Sequence, residues 1–244
     1  MRARRGALSV LAKKVELMSK ALRPLPEKFH GLEDKELRYR QRYVDLIVNN
    51  DVRETFEKRA KIVQAIPKYM AQRGYLEFET PFLHQIVGGA NAEPFVTKHN
   101  ALDREFYLRI ATELYLKRLI VGGFDRVYEM GRQFRNEGMD HYHNPEFTTL
   151  EAYEAFSGLE DMMELCQELF QACSMAANGT LQIQYQGQDI DLSGDWKVAS
   201  MCDLATEYAG EPVNMDLNSE QLRAIADKHK IHFEKAWGKG KLVA

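Results

Sequence analysis

The stretch "GRQFRNEGMDHYHNPEFTTLEAYEAF", residues 131–156, decides how the rest of the chain is read. Two runs with strand character flank a short loop of Gly, Met, Asp, His, Tyr, His, Asn and Pro. In a strand every second side chain shares a face. On the first run Arg135 and Glu137 share one face. On the second run Phe147, Thr149, Glu151 and Tyr153 share one. The opposite faces carry Phe134, Leu150 and Ala152. Pairing the runs with the apolar set inward leaves a floor of Arg135, Glu137, Phe147, Glu151 and Tyr153. Such a surface is expensive to bury and sensible for binding. An arginine fork matches phosphate or carboxylate oxygens, an aromatic face suits a stacked base, and Glu151 beside Tyr153 suits a cation. His143 in the loop is placed to reach a terminal phosphate. The plainer reading of the same pattern is a solvated sheet face with a cross-strand Arg–Glu pair.

Working outward, "RVYEMGRQFRNE" and "EFTTLEAYEAF" are the two strands, and "TELYLKRLIVGG" before them is a helix stopped by paired glycines. "EFYLRI" (105–110) is a short strand, and "YLEFETPFL" is an edge strand ended by Pro81. Glu113 opens the helix at "TEL", where the macrodipole alone favours a carboxylate. Upstream, residues 33–74 are charged and helical in pattern, with Phe56, Ala60, Val63 and Met70 at helical spacing and a kink expected at Pro67. "RPLPEKFHGL" (23–32) is a linker, and "GALSVLAKKVELMSKAL" before it reads as a strand and connector. Downstream, "LEDMMELCQELFQACSMAA" is an amphipathic helix with Leu159, Met162, Cys166, Leu169, Cys173 and Ala176 on its stripe. "LQIQYQGQDIDL" is a hairpin turning at Gln186–Gly187, and "LNSEQLRAIADKHKI" is a helix capped at Asn218 or Ser219. Hairpin rather than crossover spacing favours an α+β class with an antiparallel sheet.

The bulk numbers exclude little. The 244 residues can bury a sizeable core, and a net charge of −3 with 28% charged residues gives no global pull toward nucleic acid or membrane. Three cysteines are too few and odd in number for a disulfide scaffold; Cys166 and Cys173 read as core thiols, and a reducing, cytoplasmic compartment fits. No run has the roughly 20 apolar residues a membrane span needs. Gly88–Gly89 lacks the lysine and spacing of a Walker loop, and the histidines of "HKIH" (229–232) have no third ligand nearby.

"FRNEGMDHYHNPEFTTLEAY" resembles motif 2 of the class II aminoacyl-tRNA synthetases, in the form of the lysyl family. The resemblance covers nearly the whole chain. "RGYLEFETPFL" is similar to motif 1, whose proline lies at the family's dimer interface, and "GGANAEPFVTKHNALDREFYLRIATELYLKRLIVGGFDRVYEMGRQFRNEG" follows the same family. The resemblance implies a class II sheet flanked by helices, with residues 26–244 a partial catalytic domain holding motifs 1 and 2 and an inserted helical segment near 214–244. Residues 1–25 would be the end of an anticodon-binding OB barrel plus linker. It implies lysine activation by ATP and transfer to tRNA(Lys), in a homodimer formed through motif 1.

By the same resemblance Arg135 is catalytic, holding the α-phosphate and the lysine carboxylate. Glu137 contacts the adenine end of ATP, Phe147 stacks on the base, and His143 reaches the β- and γ-phosphates. Gly89, Glu113, Glu151 and Tyr153 surround the lysine, the last two at its ammonium end. No G-x-G-x-x-R follows residue 156. The third class II motif is therefore expected to be missing, and with it the Mg²⁺ ligands, which belong beyond Ala244; no metal ligands are expected within the chain. Four positions depart from the family: Tyr142 stands where an arginine is usual, Glu93 where a basic residue is common, Thr112 where "APEL" has proline, and Pro67 within a helix that is usually continuous. A catalytically inactive dimerising or ligand-binding fragment, and a lysine ligase acting on a protein, stay open as alternatives.

Overall fold

The computed structural model describes residues 10–26, 32–140 and 142–244. They divide into two compact units, one running to Thr180 and one spanning Leu181–Ala244.

The first unit is built on a long strand pair. β5 (Arg126–Phe134) and β6 (Glu146–Glu154) run antiparallel, in the register Val127↔Tyr153, Glu129↔Glu151, Gly131↔Thr149 and Gln133↔Phe147. β1 (Leu76–Glu77) adds to the other edge of β5 in parallel, so this sheet is mixed where an antiparallel one was expected. The predicted edge strand at 75–83 is thus only two residues long. The chain then turns at Thr80–Pro81 and enters a second sheet. That sheet is antiparallel, ordered β2–β4–β3, from β2 (Leu83–His84), β3 (Val96–His99) and β4 (Arg104–Leu108).

One face of β5–β6 packs on helices. Tyr128 joins Met70, Tyr75 and Leu165 in a core flanked by Ile66, Tyr69, Met130, Leu150, Ala152 and Met162. Met70 comes from α3 (Asn50–Gln72) and Leu165 from α5 (Leu159–Asn178). Met70 is fully enclosed, and trimming such a side chain to alanine costs about 2–5 kcal/mol. The predicted α5 stripe is rotated: Leu165, Ser174 and Ala177 are buried, whereas Leu159 is 70% exposed. Cys166 is exposed, so it is not a core thiol. The reason is that α5 packs against α3 and the core around Tyr128 through Met162, Leu165, Ser174 and Ala177, which only partly overlap the apolar stripe.

The 33–74 region also divides more than its pattern suggests. α1 (Lys35–Arg40) is capped by Asp34, α2 (Arg42–Val48) follows, and α3 starts after the extended Asn49. Asp45 explains the break: fully buried, it accepts from Arg38 Nε at 2.9 Å, Asn49 Nδ2 at 2.6 Å and Arg42 Nη1, tying three segments together. α3 then runs through Pro67 as one helix, while Phe56 and Val63 stay exposed. Residues 10–26 carry no strand and expose Val10, Val15 and Leu22, so the strand read there is absent from its described part. A strand needs a neighbour to satisfy its backbone groups. Residues 1–9 and 27–31, including part of the linker, lie outside the described residues.

In the second unit β7 (Gln182–Tyr185) and β8 (Gln188–Asp191) form the expected hairpin. Gln186 and Gly187 sit at φ 50° and 80°, the geometry of a two-residue primed turn. α7 (Ser219–Lys228) carries a capping box between Asn218 and Gln221. Two further helices, α6 (Met201–Ala209) and α8 (Lys239–Val243), complete it. This compact unit begins at Leu181, some thirty residues before the helical segment expected near 214.

Candidate functional site

The face of β5–β6 opposite α3 and α5 carries Val127, Glu129, Gly131 and Gln133 against Phe147, Thr149, Glu151 and Tyr153. Arg135 extends this face by one residue, because its backbone N–H still bonds Pro145 O at 2.8 Å. Glu137 does not follow. Asn136 N bonds Glu93 O at 2.8 Å, so the chain has left the sheet, and Glu137 lies exposed in the loop with Glu93 N 3.4 Å from its Oε1.

On the β5 half of this face stands a buried ion pair. Arg109, 1% exposed, bonds Arg132 O through Nε at 2.8 Å and contacts Glu129 Oε1 and Thr80 through Nη1. Its guanidinium also covers the Phe82 ring, 3.8 Å from the centroid. Gly131 is required there: a Cβ would lie 2.4 Å from Arg109 Nη2. The pair consumes Arg109's charge inside the protein.

The residues following Arg109 line the floor in turn. Ile110 O accepts from Arg135 Nε at 3.4 Å, and the Arg135 guanidinium lies 5.1 Å from the Phe147 centroid. Ala111 and Glu113 approach Gly89, where a Cβ would meet the Cβ of each at 3.1 Å; Gly89 has φ +88°, so both backbone and space call for glycine. Thr112, 1% exposed, donates its N–H to Glu151 Oε2 at 2.9 Å and its hydroxyl to the same oxygen. Glu113 opens α4 (Glu113–Val121) and pairs with Lys117 Nζ at 2.6 Å, and that ammonium also lies 5.8 Å from the Tyr153 centroid. Burial, then the charges of Glu151 and Glu113, push the Tyr153 hydroxyl up to about 12.

Gly89, Glu113, Glu151 and Tyr153 are therefore gathered at one end of the floor, and Arg135 with Phe147 at the other. His143 stands apart. It is exposed, and its Nδ1 lies 2.7 Å from Asp140 Oδ2, while Asp140 Oδ1 accepts from Tyr142 N at 2.7 Å and His143 N at 2.8 Å. Those bonds, the Tyr142 amide first, hold the Asp140 carboxyl below its ordinary range. Asp140, Thr112 and Arg109 are neighbours of the floor that strand parity does not find, whereas Glu129 shares the parity of Arg135 and was passed over. The D-x-x-H spacing of an Asx turn was the available signal for the first. Among the described residues no three His, Cys, Asp or Glu side chains converge as metal ligands, and no helix is long and apolar enough to cross a membrane.

Comparison with known proteins gives this geometry a context. The family model of class II tRNA synthetases (D, K and N) matches residues 34–237. The chain is similar to a lysine–tRNA ligase of Clostridium botulinum (strain Langeland), at 52% identity over 230 residues, which is 94% of this chain and 46% of that protein. It is also similar to a lysine–tRNA ligase of Thermoanaerobacter pseudethanolicus, at 52% identity over 239 residues, 98% of this chain and 48% of that one. A lysine–tRNA ligase of Clostridium novyi shares 54% identity over 220 residues, 90% of this chain and 43% of its own length. The chain spans about half the length of the curated relatives it matches.

Proposed function

This chain belongs to the class II tRNA synthetases (D, K and N), and from that premise we propose that its floor binds ATP and lysine and serves the formation of lysyl-adenylate. A lysine carboxylate oxygen attacks the α-phosphorus, the bond to pyrophosphate breaks, and the lysyl group then passes to the 3′ end of tRNA(Lys). Arg135 acts in the first step as a fixed positive charge toward the α-phosphate and the carboxylate, stabilising the charge that develops between them. Phe147 offers its ring to the adenine and Glu137 its carboxylate to the adenine end. His143, held by Asp140, is the loop group directed to the β- and γ-phosphates. Gly89 lets the backbone approach the amino acid, Glu113 serves its amino end, and Glu151 with Tyr153 receives the side-chain ammonium. No side-chain nucleophile is needed; orientation and electrostatics carry the step.

The observation that carries this reading is the Glu151 carboxylate beside the Tyr153 ring on the same floor as Arg135, Glu113 being already paired with Lys117. An aspartate side chain would require positive charge there, and Arg109's charge is already taken by Glu129. Magnesium ordinarily accompanies ATP, held largely by the phosphates and water; none of the roles above runs through it. A second copy of the chain, docked around Pro81 where Leu76, Phe82 and Leu83 stand exposed, is the partner proposed for motif 1. The cytoplasm is the compartment proposed.

The test is the melting temperature of the chain with non-hydrolysable lysyl- and aspartyl-adenylate analogues, beside Arg135→Ala. A rise with the lysyl analogue alone, lost in the variant, is expected. A rise with the aspartyl analogue, or with neither, refutes the assignment.

A further inference from the structure

Glu129 and Glu151 are direct cross-strand partners on the floor, and each is held in the same way. Glu129 Oε2 accepts both the backbone N–H (3.1 Å) and the hydroxyl (2.6 Å) of Thr80, which leaves Oε1 to the guanidinium of Arg109. Glu151 Oε2 accepts both the backbone N–H (2.9 Å) and the hydroxyl of Thr112. Its Oε1 has no recorded partner among the described residues. The first carboxylate is thus a complete example of a motif in which a threonine ties one oxygen and a cation takes the other. The second repeats the threonine half. Thr112 makes no side-chain bond to the α4 backbone, so its hydroxyl is not a helix cap. It is buried, and Glu151 is its partner.

We infer that Thr112 is a positioning and specificity-determining residue, which locks Glu151 so that Oε1 is presented to the ammonium of the ligand. The inference rests on the reading that Glu151 receives that ammonium. A carboxylate with both donors on one oxygen cannot rotate about its terminal bond without losing two charge-assisted hydrogen bonds, so the free oxygen is pre-aimed. Where the family has proline, neither donor exists at this position, because proline has no N–H and no hydroxyl.

Isothermal calorimetry of the chain with L-lysine and with L-norleucine, which lacks only the terminal ammonium, separates the claims. Thr112→Val keeps the shape and the backbone N–H and removes the hydroxyl; Thr112→Ser restores it. Thr112→Ala removes the same hydroxyl if the valine variant does not fold. The valine or alanine variant should lose about tenfold in lysine affinity, the worth of one charge-assisted hydrogen bond, with norleucine unchanged and serine near wild type. Lysine affinity that is unchanged or tightened in the hydroxyl-less variants overturns the inference. So does a parallel loss for lysine and norleucine, which is the mark of a merely structural role. If Glu151→Gln leaves lysine preferred over norleucine as strongly as wild type does, or wild type shows no preference, the reading of Glu151 itself falls and the inference falls with it.

Discussion

Replacing Arg109 with methionine tests whether the floor is held by its buried ion pair. Arg109 is 1% exposed and Glu129 5% exposed, and the guanidinium makes bonds to Arg132 O, to Thr80 and to Glu129. Methionine fills much of the volume against Phe82 but leaves Glu129 ionised with only Thr80's two donors. A charge left buried without its partner costs about 3–5 kcal/mol. For a unit of this size that lowers the melting temperature by roughly 6–20 °C. Pairing the change with Glu129→Gln removes the orphaned charge, and much of the loss should return. The assay is urea unfolding of Arg109→Met, Glu129→Gln and the double variant, with the coupling taken from the cycle. A single variant losing under about 1 kcal/mol, or single losses that simply add, would refute the argument that the pair is structurally coupled. It would also mean that Arg109's charge is not committed internally, which weakens the case against an anionic side chain as ligand.

Gly89→Ala meets both a φ of +88° and contacts of 3.1 Å with Ala111 and Glu113. It should cost about 1–3 kcal/mol of stability and weaken lysine binding by calorimetry; a neutral variant would show that the loop does not pack on Glu113. Burial raises the Glu154 carboxyl, but the Tyr75 hydroxyl at 2.7 Å and Arg126 at 2.5 Å outweigh it and hold the group below its ordinary 4.5. A depressed carboxylate stabilises above its unfolded value and loses that contribution as pH falls through the folded one. Melting temperature should therefore hold above about pH 5 and fall below it, less steeply in Glu154→Gln; superimposable acid limbs would count against this. Asp140→Ala should change stability by no more than about 0.5 kcal/mol, since the turn is exposed. It should nevertheless weaken ATP binding about fivefold by releasing His143, and equal affinity would remove His143 from the site.

The floor was legible because a strand has a side-chain period of two. Arg135, Phe147, Glu151 and Tyr153 fall on one face by parity alone, and the register confirms that face. Parity failed at Glu137, where Asn136 turns to pair with Glu93; no local signal marks that departure. The helix stripe of α5 was misjudged for a related reason. Burial on a helix follows what packs against it, and Cys166 lies on the apolar stripe yet is exposed. α6 was missed although its signals are present, since Ser200 caps Asp203 N and Gly210 closes the helix in the left-handed region.

What no local rule could reach is the span from Arg109 to Glu113. Read along the chain it is the end of a strand and the start of a helix, with a buried arginine that looks out of place. In the fold, each of its five residues meets the floor or the loop at Gly89: Arg109 neutralises Glu129, Ile110 takes Arg135, Ala111 and Glu113 close on Gly89, and Thr112 holds Glu151. These contacts join residues 20 to 40 positions apart, so they exist only once β4, α4 and β5–β6 are assembled. The residues that share the floor can be read from pattern. The shell that aims them is written in tertiary contacts, and there Thr112 changes from a departure in a motif into a donor with a specific acceptor.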